Sequence, residues 1–395
     1  MERFQYLIVG GGIAGVSAAE ATRRRDAHGA IAILGNELVG LYSRVLLPGY
    51  VKGELTREQI MLRGATDFEK NGIKYIQGSA ITVSPSTFSV ELADGRSIQY
   101  ERLLIATGGA VRPFTLSGMD SASVYHLQTI QDAERLRKDL PAVRRALVIG
   151  GGFIALEFLG ILEKRGIPTS VILRDDHLLS RFMSKEASAL IHENAKSRRI
   201  TFHVNDEAEY AEKQEDGWIV KTKKGVAVEC DAVFVGVGIQ RAMEFLQNSG
   251  ILLGAGGVLA NQYLETNISG IYVAGDVAEY EDLILGKRKV LGNWNNAFLQ
   301  GTTAGSNMAG AKAPFKSVSS YGIVNLGIHI AVLGDVDPHM ASHVVLSPIG
   351  TFEELFLESG IIRGAVLINR ASRQGLVRQW IADHVAVSSI PELQL

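Results

Sequence analysis

Four consecutive apolar residues, "YLIV", run straight into "GGGIAG", after which a helical period of apolar and polar positions sets in over "VSAAEATRRR". The same grammar returns where "ALVI" meets "GGGFIALE" at 146–157. Each passage predicts a buried strand, a tight turn and a helix, the opening of a βαβ unit. Between them, "KYIQGSAITVSP", "TFSVELADG" and "SIQYERLLIATGG" are β-rich runs parted by turn signals, which predict an antiparallel meander returning to a buried strand. The second unit therefore interrupts the first domain. It contains a further pair of runs, "WIVKTKKG" and "VAVECDAVFVGVG", and the chain rejoins its first domain at "GIYVAGDVAEY". From about Lys316 the pattern changes to the strands "FEELFLESG" and "IIRGAVLIN" and a final helix over "SRQGLVRQWIADHVA". The expected layout is one domain from residues 1–115 and 245–315, a second at 116–244, and a small α+β domain at 316–395.

Composition narrows the class. A chain of 395 residues with 46% apolar content is long enough for two or three packed domains. Its formal charge of −2 gives no sign of nucleic-acid binding. The first strand begins so close to Met1 that no leader fits ahead of it, so a cytoplasmic protein is expected. The most apolar window, 146–162, carries a three-glycine loop and Glu157 and falls short of the usual span of about 20 residues, so no membrane insertion is expected. The single cysteine, Cys230, rules out a two-cysteine redox centre within one chain and is expected to be a buried small residue.

The glycine loops carry the first chemistry. Gly10 permits the tight turn, Gly12 lets backbone approach a pyrophosphate, and Gly15 lets helix and strand pack closely. The amides at the helix start, Ile13 and Ala14 among them, then face the phosphates. Glu37 follows about 20 residues later, at a strand end where a carboxylate binds an adenosine ribose. In the second loop Gly150, Gly152 and then Ala155 keep the pattern, with Ile154 between them. Its second strand ends in Leu173, Arg174, Asp175 and Asp176 instead of a lone acid. Arg174 and Arg181 suit a 2′-phosphate and predict a modest preference for NADPH; Asp175 suits a 2′-hydroxyl and keeps NADH open.

Two dinucleotide loops, "LLIATGG" before the second and "GIYVAGDVA" after it together resemble the two-dinucleotide flavoproteins of the pyridine nucleotide-disulfide oxidoreductase superfamily. "YSRVLLPG", "VGVG", "NWNNAFLQG" and the small C-terminal domain are most similar to rubredoxin and ferredoxin reductases and the flavin-binding part of assimilatory nitrite reductase. The resemblance implies an α/β fold of two Rossmann-like domains, the FAD domain interrupted by the NAD(P) domain, with a C-terminal interface domain. It implies FAD as cofactor and NAD(P)H as co-substrate, with hydride passing from nicotinamide C4 to flavin N5. It assigns Glu37, Arg44, Ala80, Thr107, Gly108, Asp276, Trp294 and Asn295 to the flavin, Asp276 by its ribitol. Gly238 joins the nucleotide contacts. Phe153 matches an aromatic that covers the flavin, and Glu157 a carboxylate beside the nicotinamide; these two are the candidate catalytic positions.

The chain also departs from that pattern. "LYSRVLLPGY" has no cysteine where disulfide reductases carry theirs, so electrons are expected to leave the flavin directly. Pro48 and Gly49 stand where the family often has a lysine that pairs with the helix carboxylate, which predicts a Glu157 without that partner. Arg363, Arg370, Arg373 and Arg378, with no acid between them, predict a positive face for an acidic rubredoxin- or ferredoxin-type carrier. His339 and His343 are expected to be surface residues, not metal ligands. The leading expectation is an NAD(P)H oxidoreductase feeding such a carrier, with a homodimer among the assemblies allowed. The alternatives are an NAD(P)H oxidase or quinone reductase, and a redox-sensing flavoprotein of the apoptosis-inducing factor type.

Overall fold

The computed structural model describes residues 2–37, 40–345 and 348–393. Contacts divide the chain into two units. The first gathers residues 1–45, 57–110 and 240–319; the second gathers 46–56, 111–239 and 320–395.

The first unit is built on a seven-stranded sheet. Glu2–Val9 lies at its centre, parallel to Ile31–Gly35 on one side and to Ser97–Ile105 on the other. Leu7, Ile8, Ile33 and Leu104 have no exposed surface, as strands covered on both faces require. Ala80–Ser84, Ser89–Leu92 and Ser97–Ile105 form the expected meander. The run "KYIQGSAITVSP" departs from expectation, because it breaks at Gly78 into two strands. Ile73–Gln77 instead extends the parallel sheet beside Ile31–Gly35. At the break a Cβ on Gly78 would lie 2.7 Å from Leu92. Ile271–Val273 returns to the sheet parallel to Ser97–Ile105, which realises the expected interruption.

The second unit holds a five-stranded parallel sheet in the order 124–125, 232–235, 146–149, 169–173, 200–204. A three-stranded antiparallel sheet, 208–214, 217–222 and 227–230, accompanies it. Cys230 is fully buried and burial pushes its thiol up to about 12, matching the structural role expected of it. Strands 320–325, 328–334, 341–345, 352–358 and 361–368 form a five-stranded antiparallel sheet, and the helix Gln374–Ala382 follows. Its first hairpin, Ser320–Asn325 with Ile328–Gly334, was not among the expected strands. The segment 46–56 groups with this unit, where Arg137 sits 4.3 Å over the Tyr50 ring and Lys164 pairs with Glu54 at 3.5 Å.

Candidate functional site

In the first unit the loop glycines are required by shape. Gly10 has φ +126°, and a Cβ there would lie 2.1 Å from the Ala106 carbonyl oxygen; one on Gly15 would lie 1.9 Å from that of Gly10. Gly12 instead faces open space and caps the helix Ile13–Arg25 without a side-chain hydrogen bond. The amides of Ile13 and Ala14 therefore point from an uncapped helix start, the arrangement that receives phosphate.

The expected flavin residues all lie in this same unit. Glu37 accepts hydrogen bonds from Tyr42 and from Arg44, with which it forms an ion pair, and Tyr75 donates to its carbonyl at 2.9 Å. Thr107 donates to the Ala242 carbonyl at 2.9 Å, and Gly108, at φ +61°, borders open space. Ala80 packs against the core. Asp276 is half-buried and its carboxyl makes no hydrogen bond among the described residues; burial raises its pKa, against the opposing charges of Arg241 and Arg44. Trp294 and Asn295 open the helix Trp294–Met308, and Asn293 caps it by accepting from the Asn296 amide at 2.8 Å. Further along that helix the buried Asn296 Oδ1 and Gln300 Nε2 have no partner among the described residues. An uncapped helix start, an unpaired carboxyl and two orphaned buried polar atoms fit a polar, phosphate-bearing cofactor such as FAD.

The second unit repeats the cradle. Gly150 has φ +124°, with a would-be Cβ 2.4 Å from the Gly236 carbonyl oxygen. Gly152 faces open space and caps the helix Phe153–Lys164 with no side-chain hydrogen bond. Ala155 is fully buried against Gly236, while Ile154 is exposed. Gly238 takes φ +96° beside Arg112. At the second strand end the acids are engaged: Asp175 accepts from Ser180 at 2.5 Å, and Asp176 from Lys185 at 3.0 Å. Arg174 and Arg181 are exposed and form no ion pair among the described residues.

On the same helix Phe153 lies between Phe182 and Tyr321, with ring centroids 4.9 and 4.1 Å away. Glu157, one turn on, accepts from Asn325 Nδ2 at 3.1 Å. Burial pushes its carboxyl up to about 7, against the charge of Lys52 and the Asn325 hydrogen bond. Among the described residues no lysine forms an ion pair with Glu157; Lys52, at the end of the helix Leu47–Lys52, acts on it through its charge alone. Helical spacing was the signal available for Lys52; Asn325 and Tyr321 left none in the local sequence.

The expected positive face is also corrected. Arg370 and Arg373 both pair with Glu353, at 3.1 and 3.0 Å, and Arg373 also reaches Glu392 at 2.8 Å. Arg363 pairs with Glu358 at 3.0 Å. Glu353 and Glu358 come from the strand Phe352–Glu358 and Glu392 from the C-terminal turn, all outside the arginine-bearing segment. Arg378 remains exposed. His339 is exposed and His343 half-buried. No helix among the described residues is long and apolar enough to cross a membrane.

Comparison with known proteins shows the family. The chain is 27% identical over 398 residues to the ferredoxin reductase subunit of a 5,5'-dehydrodivanillate O-demethylase from Sphingobium sp., covering 98% of this chain and 95% of that one. It is 27% identical over 349 residues to the NADH-rubredoxin oxidoreductase of Clostridium acetobutylicum, covering 88% and 86%. A ferredoxin reductase structure from Rhodopseudomonas palustris superposes with a TM-score of 0.87 at 25% identity, covering all of this chain and 95% of the other. The family profile of the pyridine nucleotide-disulphide oxidoreductases matches residues 4–301, a stretch that contains both glycine cradles and Asp276, and the chain belongs to that family of FAD-dependent, NAD(P)H-using oxidoreductases.

Proposed function

We propose that this protein takes hydride from NAD(P)H and passes the electrons to a one-electron protein carrier of the ferredoxin or rubredoxin type. The observation that carries the reading is the want of a thiol relay: the one cysteine is buried, with its thiol pushed up to about 12, so a thiolate nucleophile is not on offer. Reductase subunits and a rubredoxin reductase among its relatives support the choice of acceptor. FAD supplies the chemistry when bound, accepting a hydride in one step and releasing electrons singly. The residues around Gly10 and Asp276 hold it, and those around Gly150 hold the nucleotide. As hydride leaves, the nicotinamide ring becomes positive, and an ionised Glu157 stabilises that growing charge. The test is anaerobic reduction by NAD(P)H followed by addition of a ferredoxin or a rubredoxin. Rapid reduction of a carrier supports the reading. Reoxidation by quinone or dioxygen alone overturns the choice of acceptor.

The same reading sets the cofactor form. With the nearby acids engaged and Arg174 and Arg181 unpaired, the strand end suits the 2′-phosphate of NADPH. Arg174→Ala is expected to weaken NADPH binding roughly ten- to a hundredfold, the effect of losing one charged hydrogen bond, and to leave NADH unchanged. Dissociation constants from titrations of both nucleotides check it, and equal losses would show that Arg174 does not contact the phosphate.

A further inference from the structure

Strand Ser320–Asn325 turns alternate residues toward its own domain: Ile323 and Asn325 are buried while Gly322 and Val324 are exposed. Tyr321 and Asn325 share one face. Phe153 and Glu157 likewise share one face of their helix, a turn apart. The two pairs meet in register, Tyr321 on Phe153 with ring centroids 4.1 Å apart and Asn325 on Glu157 at 3.1 Å. Both candidate catalytic side chains are thus held by a single strand of the C-terminal sheet.

Asn325 is fixed more firmly than one hydrogen bond requires. Its amide also donates to the Leu156 carbonyl at 2.9 Å, and its Oδ1 accepts from the Leu326 amide at 2.8 Å. The helix is shaped to receive it: a Cβ on the fully buried Gly160 would lie 1.7 Å from Asn325 Oδ1 and 2.5 Å from its Cγ. Glycine inside a helix costs about 0.5–1 kcal/mol relative to alanine, so its presence here follows from the need to admit this amide. The charged and titratable groups facing the Glu157 carboxyl are Lys52, from the helix Leu47–Lys52, and Tyr321, from the strand. Asn325 is the neutral donor among them.

We propose that Asn325, admitted by Gly160, is a positioning residue that orients the Glu157 carboxylate and biases it toward its ionised form. The proposal rests on the reading of Glu157 given above, and it makes the C-terminal sheet part of the hydride-transfer site. An amide donor stabilises the ionised carboxylate more than the protonated acid, whose carbonyl oxygen accepts a weaker hydrogen bond. Removing it leaves burial opposed by Lys52 alone.

The experiment follows Glu157 itself, by the carboxyl signals of the FAD-loaded protein carrying carbon-13-labelled glutamate, titrated between about pH 5 and pH 9. Glu157→Gln identifies the signal. Asn325→Leu keeps the branched skeleton without the donor and is expected to raise the midpoint by about one unit, a tenfold change in proton concentration. Asn325→Asp, which sets a second carboxylate beside the first, is expected to raise it further. Gly160→Ala, which leaves Asn325 chemically intact but denies it room, is expected to act like Asn325→Leu. A purely structural role would lower thermal stability without this ordering of midpoints. Folded variants that titrate at the parent midpoint overturn the proposal. The measurement needs neither nucleotide nor carrier, so a protein that binds FAD but does not turn over would sink the functional reading and leave this test standing.

Discussion

Replacing Glu157 by glutamine is expected to make the protein more stable and slower. The carboxyl is raised from an ordinary value of 4.5 to about 7 in the folded chain, so between those limits the folded state holds a proton that the unfolded state has released. Stability conferred by the site is therefore present below pH 4.5 and lost as pH rises to about 7. The loss at pH 8 amounts to at most about 3 kcal/mol, at 1.36 kcal/mol per unit. Glutamine carries no charge at either limit and removes this loss. Urea unfolding of parent and variant should coincide near pH 4 and diverge by up to that amount at pH 8. Hydride transfer should move the other way. In the parent its rate rises with pH through about 7 as Glu157 ionises; in Glu157→Gln it is flat and roughly a hundredfold slower at pH 8, the scale of losing one preorganised electrostatic contact. Stopped-flow reduction across the pH range checks it. Parallel pH profiles in the two proteins would remove Glu157 from the chemistry.

Arg373→Glu is expected to unfold the C-terminal sheet instead of weakening carrier docking. Glu353 has no exposed side-chain surface and lies between Arg370 and Arg373. Reversing one partner leaves a buried carboxylate beside a new one, and breaking such a pair costs about 3–5 kcal/mol. Arg378→Glu, at an exposed position, should change stability by no more than about 0.5 kcal/mol. Thermal melts of the two variants make the comparison, and an Arg373→Glu protein that melts with the parent would show the ion pair to be dispensable.

The parts of this molecule that local chemistry dictates were legible before any coordinates. Gly10 and Gly150 need a backbone conformation that other residues resist, and Asp276 and Glu37 follow at strand ends, so both cradles could be placed from short motifs. What escaped was decided by partners far along the chain. Ile73–Gln77 has the same alternation as a meander strand, and only the choice of Ile31–Gly35 as neighbour makes it parallel. Asn325 reaches Glu157 across 168 residues, a separation over which spacing carries no information. The partners of the arginines are hidden for the same reason: Glu353 and Glu358 lie on the preceding strand, outside the acid-free segment that carries Arg363, Arg370 and Arg373.

The discontinuous first unit also imposes an order on synthesis. Helix Ile13–Arg25 leaves the ribosome early, but its packing surface is the helix Trp294–Met308. Those two meet so closely that a Cβ on Gly301 or Gly305 would lie 2.1 or 2.2 Å from the carbonyl oxygens of Ala14 and Ala18. Until Gly305 emerges, the first glycine loop has no partner helix and no Asp276 beside it. The parallel sheet of the second unit is complete once Ala232–Val235 has been made. That sheet can therefore close while the helix partner of the first glycine loop is still unmade, so the strands around Gly150 are paired before the cradle around Gly10 is complete.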